Sequence, residues 1–221
     1  MSELGAGYMN GGPLEDYICS HIEPEGSLLH DLYRETNLKL LNPRMASGHI
    51  QGRLLKMLTG MIAPMSVLEI GTFSGYSAIC IAEGLPVGGI LHTIEIDDEL
   101  EGFIGRWISR SGYGDRIIPH IGDALKIIPE LGLQYDMVFI DGEKREYVQY
   151  YETVLDYVRP GGFILADNTL WDGHVVDPAY CRDRQTEAIR QFNDRVASDR
   201  RVEVAMIPVR DGLTLIRKKT I

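Results

Sequence analysis

Cysteine and histidine are too few and too scattered in this 221-residue sequence to suggest disulfides or a zinc site. The three cysteines, Cys19, Cys80 and Cys181, lie far apart and form no CxxC pair, which argues against a disulfide framework and a thiolate zinc site. The six histidines form no HExxH or other close ligand pair. The sequence therefore offers no thiolate or imidazole chemistry.

Long apolar runs are also missing. No stretch approaches the roughly 18 to 20 apolar residues that span a bilayer. The first residues, MSELGAGYMNGGPLEDY, are acidic and glycine-rich, without the basic start and apolar stretch of a secretory signal. We therefore expect a cytoplasmic protein.

Positive charge is in deficit, with 22 Lys and Arg against 32 Asp and Glu and a formal net charge of −10. The deficit is uneven, because residues 182–221 hold 10 basic and 6 acidic side chains. Such a basic stretch can bind polyanions, but acidic residues lie between its arginines. We expect a patch of mixed sign that binds nucleic acid weakly.

The length and the absence of a low-complexity linker indicate one domain. Residues 1–13 read as a flexible tail, and residues 14–63 show apolar positions at helical spacing. From residue 64 onward, short apolar runs alternate with helix-length segments. This order is typical of a parallel sheet with helices on both faces.

Seven segments are predicted as strands. The first five are too apolar to have a solvent-exposed face, and they are SVLEIG, ILHTIEID, RIIPHIGD, YDMVFIDG and GFILADN. A helix at about Thr186–Ser198 precedes two further runs, 202–207 and 213–217. The short turn between those two runs predicts a hairpin, so the last strand is expected to run antiparallel.

In open α/β sheets, ligands bind beyond the carboxyl ends of the strands. After the first strand, Gly71 and Gly75 permit a tight turn and close approach of a ligand, and Ser77 lies at a helix start. Phe73 and Tyr76 stand where a dinucleotide fingerprint needs glycine, which disfavours an NAD oxidoreductase. GTFSG also lacks the central serine of a hydrolase GxSxG elbow.

Carboxylates follow the next strands. Glu95 ends the second strand, 24 residues after Gly71, where a carboxylate can accept both hydroxyls of a ribose. Asp123, after the third strand, suits either a ligand contact or a simple helix N-cap.

The fourth and fifth strands carry the strongest chemical signal. Asp141 ends one of them, and Asp167 and Asn168 end the other. Adjacent parallel strands lie about 4.8 Å apart, so these three oxygen ligands can converge on one Mg²⁺ or Ca²⁺ ion. Lys144 follows Asp141 by three residues, and a nearby metal would favour its neutral amine, which could act as a base.

These blocks together resemble the class I S-adenosylmethionine (SAM)-dependent O-methyltransferases of the catechol and caffeoyl-CoA type, nearer to the bacterial and plant caffeoyl-CoA-like branch. LEIGTFSGYSA looks like the cofactor loop, HTIEID the ribose acid, GDAL the adenine segment, and FIDGEK and ADNTLWDG the metal-ligand strands. The resemblance covers about residues 14–219. It implies a Rossmann-like methyltransferase fold with a mostly parallel seven-stranded sheet, an antiparallel last strand and N-terminal helices.

The resemblance also implies roles for particular residues. The expected cofactor contacts are Met45, Glu69, Gly71, Phe73, Gly75, Tyr76, Ser77, Glu95, Ile96, Gly122, Asp123, Ala124 and Asp141. Asp141, Asp167 and Asn168 are expected to bind a divalent metal, with Mg²⁺ favoured over Mn²⁺ or Ca²⁺. Lys144 stands at the general-base position, and Met45, Lys144, Asn168 and Trp171 face the acceptor. Met45 and the following SGHIQG resemble the segment that closes over cofactor and substrate. The resemblance further suggests a homodimer.

Two departures from the family concern the acceptor side. Gly142 and Glu143 replace the aromatic pair of the animal catechol enzymes. No acidic residue stands in the expected register near Ala205 to hold a catechol hydroxyl, and Glu203 is displaced from it.

Three functions stay open. The favoured one is metal-dependent methyl transfer to a hydroxyl of a small vicinal diphenol or caffeoyl-like thioester. The second uses the same site on a hydroxyuridine of tRNA. The third is cofactor binding without catalysis, which the intact Asp141, Lys144, Asp167 and Asn168 disfavour.

Overall fold

The computed structural model describes residues 12–220. The expected tail, residues 1–13, lies mostly outside this range. The first helix, α1, begins at Pro13 and not after it. Proline suits the first position of a helix because its missing N–H needs no partner there.

Three helices precede the sheet. They are α1 (Pro13–His21), α2 (Ser27–Lys39) and α3 (Gly48–Ile62). A single 3₁₀ turn, Pro43–Met45, lies between α2 and α3. This arrangement confirms the helical pattern expected for residues 14–63.

The remaining chain alternates strands and helices. Its elements are β1 (Ser66–Ile70), α4 (Tyr76–Gly84), β2 (Ile90–Glu95), α5 (Glu101–Arg110), β3 (Ile117–Ile121), α6 (Ala124–Leu131), β4 (Tyr135–Ile140), α7 (Tyr147–Tyr157), β5 (Val158–Ala166), α8 (Arg184–Ser198), β6 (Val202–Ile207) and β7 (Leu213–Lys218). Further 3₁₀ turns lie at Asp98–Leu100, Lys144–Glu146, Trp171–Val176 and Pro178–Tyr180. All seven predicted strands are present.

The strands form one sheet in the order β3-β2-β1-β4-β5-β7-β6. β1 to β5 pair in parallel, and β7 runs antiparallel to both β5 and β6. The expected hairpin and the antiparallel last strand are thus confirmed.

A hydrophobic core lies on each face of the sheet. Val67 and Phe139 pack on the face covered by α2 to α5, whereas Leu68 and Ile140 pack on the face covered by α6 to α8. Burial on both faces explains why β1 and β4 are almost continuously apolar.

The edge strand β3 contradicts the expectation that all five parallel strands lack an exposed face. Ile117 is buried, but Ile118 and Pro119 are exposed. A strand at the end of a sheet has only one neighbour and less helix cover, so apolar sequence did not distinguish it from a central strand.

Candidate active site

The carboxyl ends of β1, β2, β4 and β5 surround a cavity of about 1330 Å³. β1 lies between β2 and β4, so the cavity lies where the strand order reverses, as expected for open α/β sheets. Fourteen of the predicted site residues line it, and these are Met45, Gly71, Phe73, Tyr76, Ser77, Glu95, Ile96, Gly122, Ala124, Asp141, Lys144, Asp167, Asn168 and Trp171. Tertiary structure therefore brings most of the separate motifs together.

The loop after β1 is shaped by a close backbone approach. Gly71 has φ +99°, and a Cβ placed on it would lie 2.2 Å from the carbonyl oxygen of Asp141. Its N–H donates to the Ile94 carbonyl at 2.9 Å. Glycine is needed here because the ends of β1 and β4 leave no room for a side chain.

Glu95 is held by the same loop. Its Oε2 accepts from the Phe73 N–H at 2.7 Å, and its Oε1 accepts from the Asp97 N–H at 3.0 Å. The carboxylate is 8% exposed and borders the cavity. Each oxygen keeps a further lone pair, so the group is positioned to accept hydroxyl donors.

Glu69 lies beneath the cavity and does not line it. Thr93 donates to its Oε2 at 2.5 Å, whereas its Oε1 is buried without a hydrogen-bond partner among the described residues. Burial raises the pKa of this carboxyl to about 8. Glu69 therefore shows no direct access to the cavity. Its Oε1 is nevertheless a buried polar atom without a partner in the described part of the chain, beside the loop after β1, as can occur at a ligand-binding site.

Three other predicted contacts look structural. The Asp123 carboxylate accepts from the Leu125 N–H at 2.9 Å and caps α6, so the N-cap alternative is the one observed. Tyr76 borders the cavity, but its buried ring carries a hydroxyl that donates to Glu25 at 2.6 Å, towards the N-terminal helices. Gly75 does not line the cavity and supplies the left-handed residue, φ +85°, before α4.

Lys144 and Asp141 form a buried ion pair. The Nζ atom donates to Asp141 Oδ1 at 2.8 Å and to the Tyr147 hydroxyl at 2.7 Å. The Tyr147 hydroxyl in turn donates to the Asp167 carbonyl at 3.0 Å. Tyr147 thus fixes Lys144 beside both metal-ligand candidates.

The electrostatics of this pair differ from the expectation of a neutral amine. Burial acts to lower the pKa of Lys144, but the charge of Asp141 and further contributions from Tyr147 and Asp167 outweigh it and raise that pKa. The residues alone therefore favour the ammonium form.

Asp167 is buried and approached from α3. Gln51 Nε2 donates to its Oδ2 at 2.6 Å, and Arg210 Nη1 donates to Gln51 Oε1 at 2.7 Å. Gln51 belongs to SGHIQG, the segment after Met45 that the resemblance places over cofactor and substrate, but no contact with Asp167 was expected of it, and Arg210 belongs to no recognised block. Only the packing of α3 and of the β6–β7 turn against the end of β5 brings them here.

Asn168 lies beside a carboxyl that the sequence did not reveal. It has φ +56°, and its Nδ2 donates to Asp211 Oδ2 at 3.4 Å. Burial and the neighbouring Asp172 raise the pKa of Asp211 to about 6. Glu203, the displaced candidate, instead pairs with Arg217 at 3.2 Å on the edge hairpin.

Asp211 is an acidic residue of the cavity that the expectation about the register near Ala205 did not cover. It lines the cavity from the β6–β7 turn, not from the strand near Ala205. The sequence predicts Pro208–Gly212 only as the turn between the last two strands. The adjacent charged residues Arg210 and Asp211, just before Gly212, were the one sequence signal for a functional role. Their spacing could not show that they face the cavity.

Comparison with known proteins agrees with this geometry. A family model described as O-methyltransferase matches residues 19–219. The chain belongs to the O-methyltransferase family.

Two plant relatives support this assignment. This O-methyltransferase is 34% identical to caffeoyl-CoA O-methyltransferase 2 of Zea mays, over 79% of the chain and 70% of the relative. It is also 34% identical to caffeoyl-CoA O-methyltransferase 1 of Eucalyptus globulus, over 79% of the chain and 75% of the relative.

Two solved structures have the same fold. One is an O-methyltransferase of Bacillus cereus in complex with SAH, with a TM-score of 0.86, 28% identity and coverage of 93% of this chain and 97% of that one. The other is an O-methyltransferase of Streptomyces achromogenes involved in tomaymycin synthesis, in complex with SAM. It has a TM-score of 0.86, 30% identity and coverage of 94% and 96%.

Family and fold together make this protein a SAM-dependent O-methyltransferase of the caffeoyl-CoA O-methyltransferase type. The sheet is the expected Rossmann-like one. Across residues 12–220, no helix is both long and apolar enough to cross a membrane.

Proposed function

We propose that this O-methyltransferase transfers a methyl group from SAM to a hydroxyl of a small catechol-type acceptor, a vicinal diphenol or caffeoyl-like compound, with the help of a divalent metal. The observation that carries the proposal is the meeting of Asp141, Asp167 and Lys144 in one cavity with the loop after β1. The names of the plant relatives, as caffeoyl-CoA O-methyltransferases, support the acceptor class.

The donor atoms fit a hard divalent cation. Asp141, Asp167 and Asn168 offer carboxylate and amide oxygens, the ligands that Mg²⁺ and Mn²⁺ accept. Lys144 donates to one oxygen of Asp141 and Gln51 to one oxygen of Asp167. The second oxygen of each carboxylate has no donor among the described residues, so it is available to a metal.

The local charge also favours a cation. Asp141, Asp167 and Asp211 line this end of the cavity with Lys144 and Arg210, so acidic groups outnumber basic ones there. Within residues 12–220, no three His, Cys, Asp or Glu side chains form a metal-binding group, and the proposed site combines two carboxylates with the Asn168 amide.

Each group has a task in the proposed mechanism. The divalent cation, when bound, supplies positive charge that stabilises the acceptor oxygen in its deprotonated form. Lys144 takes the proton of that hydroxyl, which requires the amine to be neutral and the Asp141 and Asp167 charges to be offset. Glu95 holds the ribose hydroxyls and so fixes the methyl donor relative to the acceptor, since alignment removes much of the barrier.

The remaining predicted residues complete the proposed site. The loop from Gly71 to Ser77, with Ile96, Gly122 and Ala124, encloses the nucleoside part of SAM. Met45 and Trp171 border the cavity and form the acceptor walls. The homodimer and the cytoplasmic location stay predictions.

Modification of tRNA is the second candidate, and three arginines of the C-terminal stretch, Arg190, Arg195 and Arg201, do not favour it. Arg190 donates to the backbone carbonyls of residues 174, 175 and 177. Arg195 and Arg201 form ion pairs with Glu152 and Asp199. These side chains are already engaged, which reduces the charge available to phosphates.

A direct assay separates the two acceptors. We expect turnover of a free ortho-diphenol that is abolished by chelation, restored by Mg²⁺ or Mn²⁺ and nearly independent of salt. A tRNA enzyme would show submicromolar affinity and a steep salt slope, about −0.7 to −0.9 for each neutralised phosphate. Full turnover by metal-free protein in excess chelator would reject the metal, and turnover of unmodified or hydroxylated tRNA with poor phenol turnover would reject the acceptor.

A further inference from the structure

Gln51 makes the contact that holds the Asp167 carboxylate on the α3 side. It lies on α3, is 3% exposed and donates from Nε2 to Asp167 Oδ2 at 2.6 Å across 116 residues of sequence. A buried carboxylate oxygen without such a donor would keep an uncompensated desolvation cost. The bond therefore restrains rotation of Asp167 and leaves its other oxygen facing elsewhere.

Arg210 decides which end of the Gln51 amide faces Asp167. Its Nη1 donates to Gln51 Oε1 at 2.7 Å. A guanidinium has donors only, so the amide oxygen must face Arg210 and the amide nitrogen must face the carboxylate. The orientation of Gln51 thus follows from the chemistry of its two partners.

Arg210 is itself fixed at two places. Its Nη1 also donates to the backbone carbonyl of Ser47, which directly precedes α3 and follows the 3₁₀ turn containing Met45. The turn that carries Arg210 is tied to the chain after β5, because Leu170 N–H donates to the Asp211 carbonyl at 2.7 Å. At Gly212 a Cβ would lie 2.8 Å from the Leu170 nitrogen, so this contact is tight.

We propose that Arg210 and Gln51 are positioning residues that act in series to fix the Asp167 carboxylate for a divalent cation. The same arginine links this carboxylate to the Met45–Ser47 segment, which borders the cavity. The inference rests on the proposed function, because the role of Asp167 as a metal ligand is itself part of that proposal.

The test measures binding of Mn²⁺ alone to the purified protein, by calorimetry and by electron paramagnetic resonance. Gln51→Met keeps the volume and removes both hydrogen bonds. Partners of metal ligands typically contribute 10- to 100-fold to metal affinity, so we expect the Kd for Mn²⁺ to rise by about that factor. Arg210→Lys keeps the positive charge but loses the guanidinium that reaches both Ser47 and Gln51, so it should weaken binding in the same direction.

Thr59→Val is the matched control. Thr59 is fully buried on the same helix and contacts Met137, away from the cavity. Its replacement should leave the Kd for Mn²⁺ unchanged. Thermal melting of every variant shows which ones fold, and Arg210→Lys, altered at a partly exposed turn, carries the test if Gln51→Met does not fold.

A double variant separates a series from two independent effects. If Arg210 acts on Asp167 through Gln51, Arg210→Lys should add little in the Gln51→Met background. Additive losses, or a folded Gln51→Met with wild-type Mn²⁺ affinity, would overturn the proposed series from Arg210 through Gln51 to Asp167. They would leave the proposed metal function untouched. Wild-type protein that binds no Mn²⁺ would overturn the proposed metal function, and with it the positioning role of Arg210 and Gln51.

Discussion

Replacement of Gly71 by alanine should damage both the fold and the site, because this residue, at the end of β1, packs against the backbone at the end of β4. The new Cβ would lie 2.2 Å from the Asp141 carbonyl oxygen and 2.7 Å from its carbonyl carbon. Both atoms belong to the backbone, so rotation of a side chain cannot relieve the clash. Reaching an ordinary contact of about 3.4 Å requires a shift of roughly 1 Å between the two strand ends.

Two costs add at this position. A left-handed conformation costs an alanine about 1 to 2 kcal/mol, and overpacking costs about 1 to 3 kcal/mol more. For a domain of this size, about 1 kcal/mol lowers Tm by roughly 2 to 4 °C. We therefore expect Gly71→Ala to lower Tm by about 4 to 20 °C.

Gly112→Ala isolates the first of these costs. Gly112 also has a positive φ, +79°, but a Cβ placed on it would meet nothing within 4 Å. This variant should lose only the conformational part, about 1 to 2 kcal/mol, and keep wild-type turnover. The control position does not line the cavity, so any further loss in Gly71→Ala reports the clash.

The clash should also displace Asp141, and a shift of about 1 Å can lower turnover by about 100-fold. Thermal melting, Mn²⁺ affinity and the rate of methyl transfer are measured for both variants. Equal Tm values for Gly71→Ala and Gly112→Ala, together with wild-type turnover in Gly71→Ala, would refute the reasoning.

Further variants test the proposed roles and the stability of the α7–α8 region. Lys144→Ala should lower kcat by about 10²- to 10⁴-fold, and an unchanged kcat would remove Lys144 as the base. Glu95→Ala should mainly raise the Kd for SAM in calorimetry, and unaltered affinity would contradict a ribose contact. Hydrogen bonds from Arg201 lower the pKa of Asp199, so its carboxylate stabilises the fold above its ordinary pKa and loses that effect as pH falls through the lowered value. Asp199→Asn should therefore cost about 1 kcal/mol at pH 7 and progressively less in acid, and a difference independent of pH would contradict the ion pair.

The cofactor half of the candidate site could be predicted from the sequence because it consists of short local motifs. Gly71 and Glu95 follow apolar strands directly, and the carboxyl ends of parallel strands meet at one edge of a sheet. Neighbouring strands also bring Asp141 and Asp167 to the same end of the cavity. Chain order and side-chain type were sufficient for these predictions.

Local sequence was a poorer guide where the same residues are compatible with two different structural roles. Asp123 has the spacing of a ligand contact and also of an N-cap, and the observed bond to Leu125 is the cap. The apolar run of β3 resembled a central strand, yet its position at the sheet edge exposes Ile118. The exposure of Ile118 depends on the position of β3 in the sheet and not on residues nearby in sequence.

The sequence by itself determined the alternation of strands and helices, the family and the loops that carry acids, because each depends on short-range periodicity and on residues close together in the chain. Only the tertiary structure decided that Arg210 and Asp211 reach this site and that Gln51 there contacts Asp167. Gln51 lies 116 residues from Asp167 and Arg210 lies 159 residues from Gln51. Such contacts arise when α3 and the β6–β7 turn pack against the end of β5, and the hydrogen-bonding directions of those side chains are set by that packing and not by any local pattern.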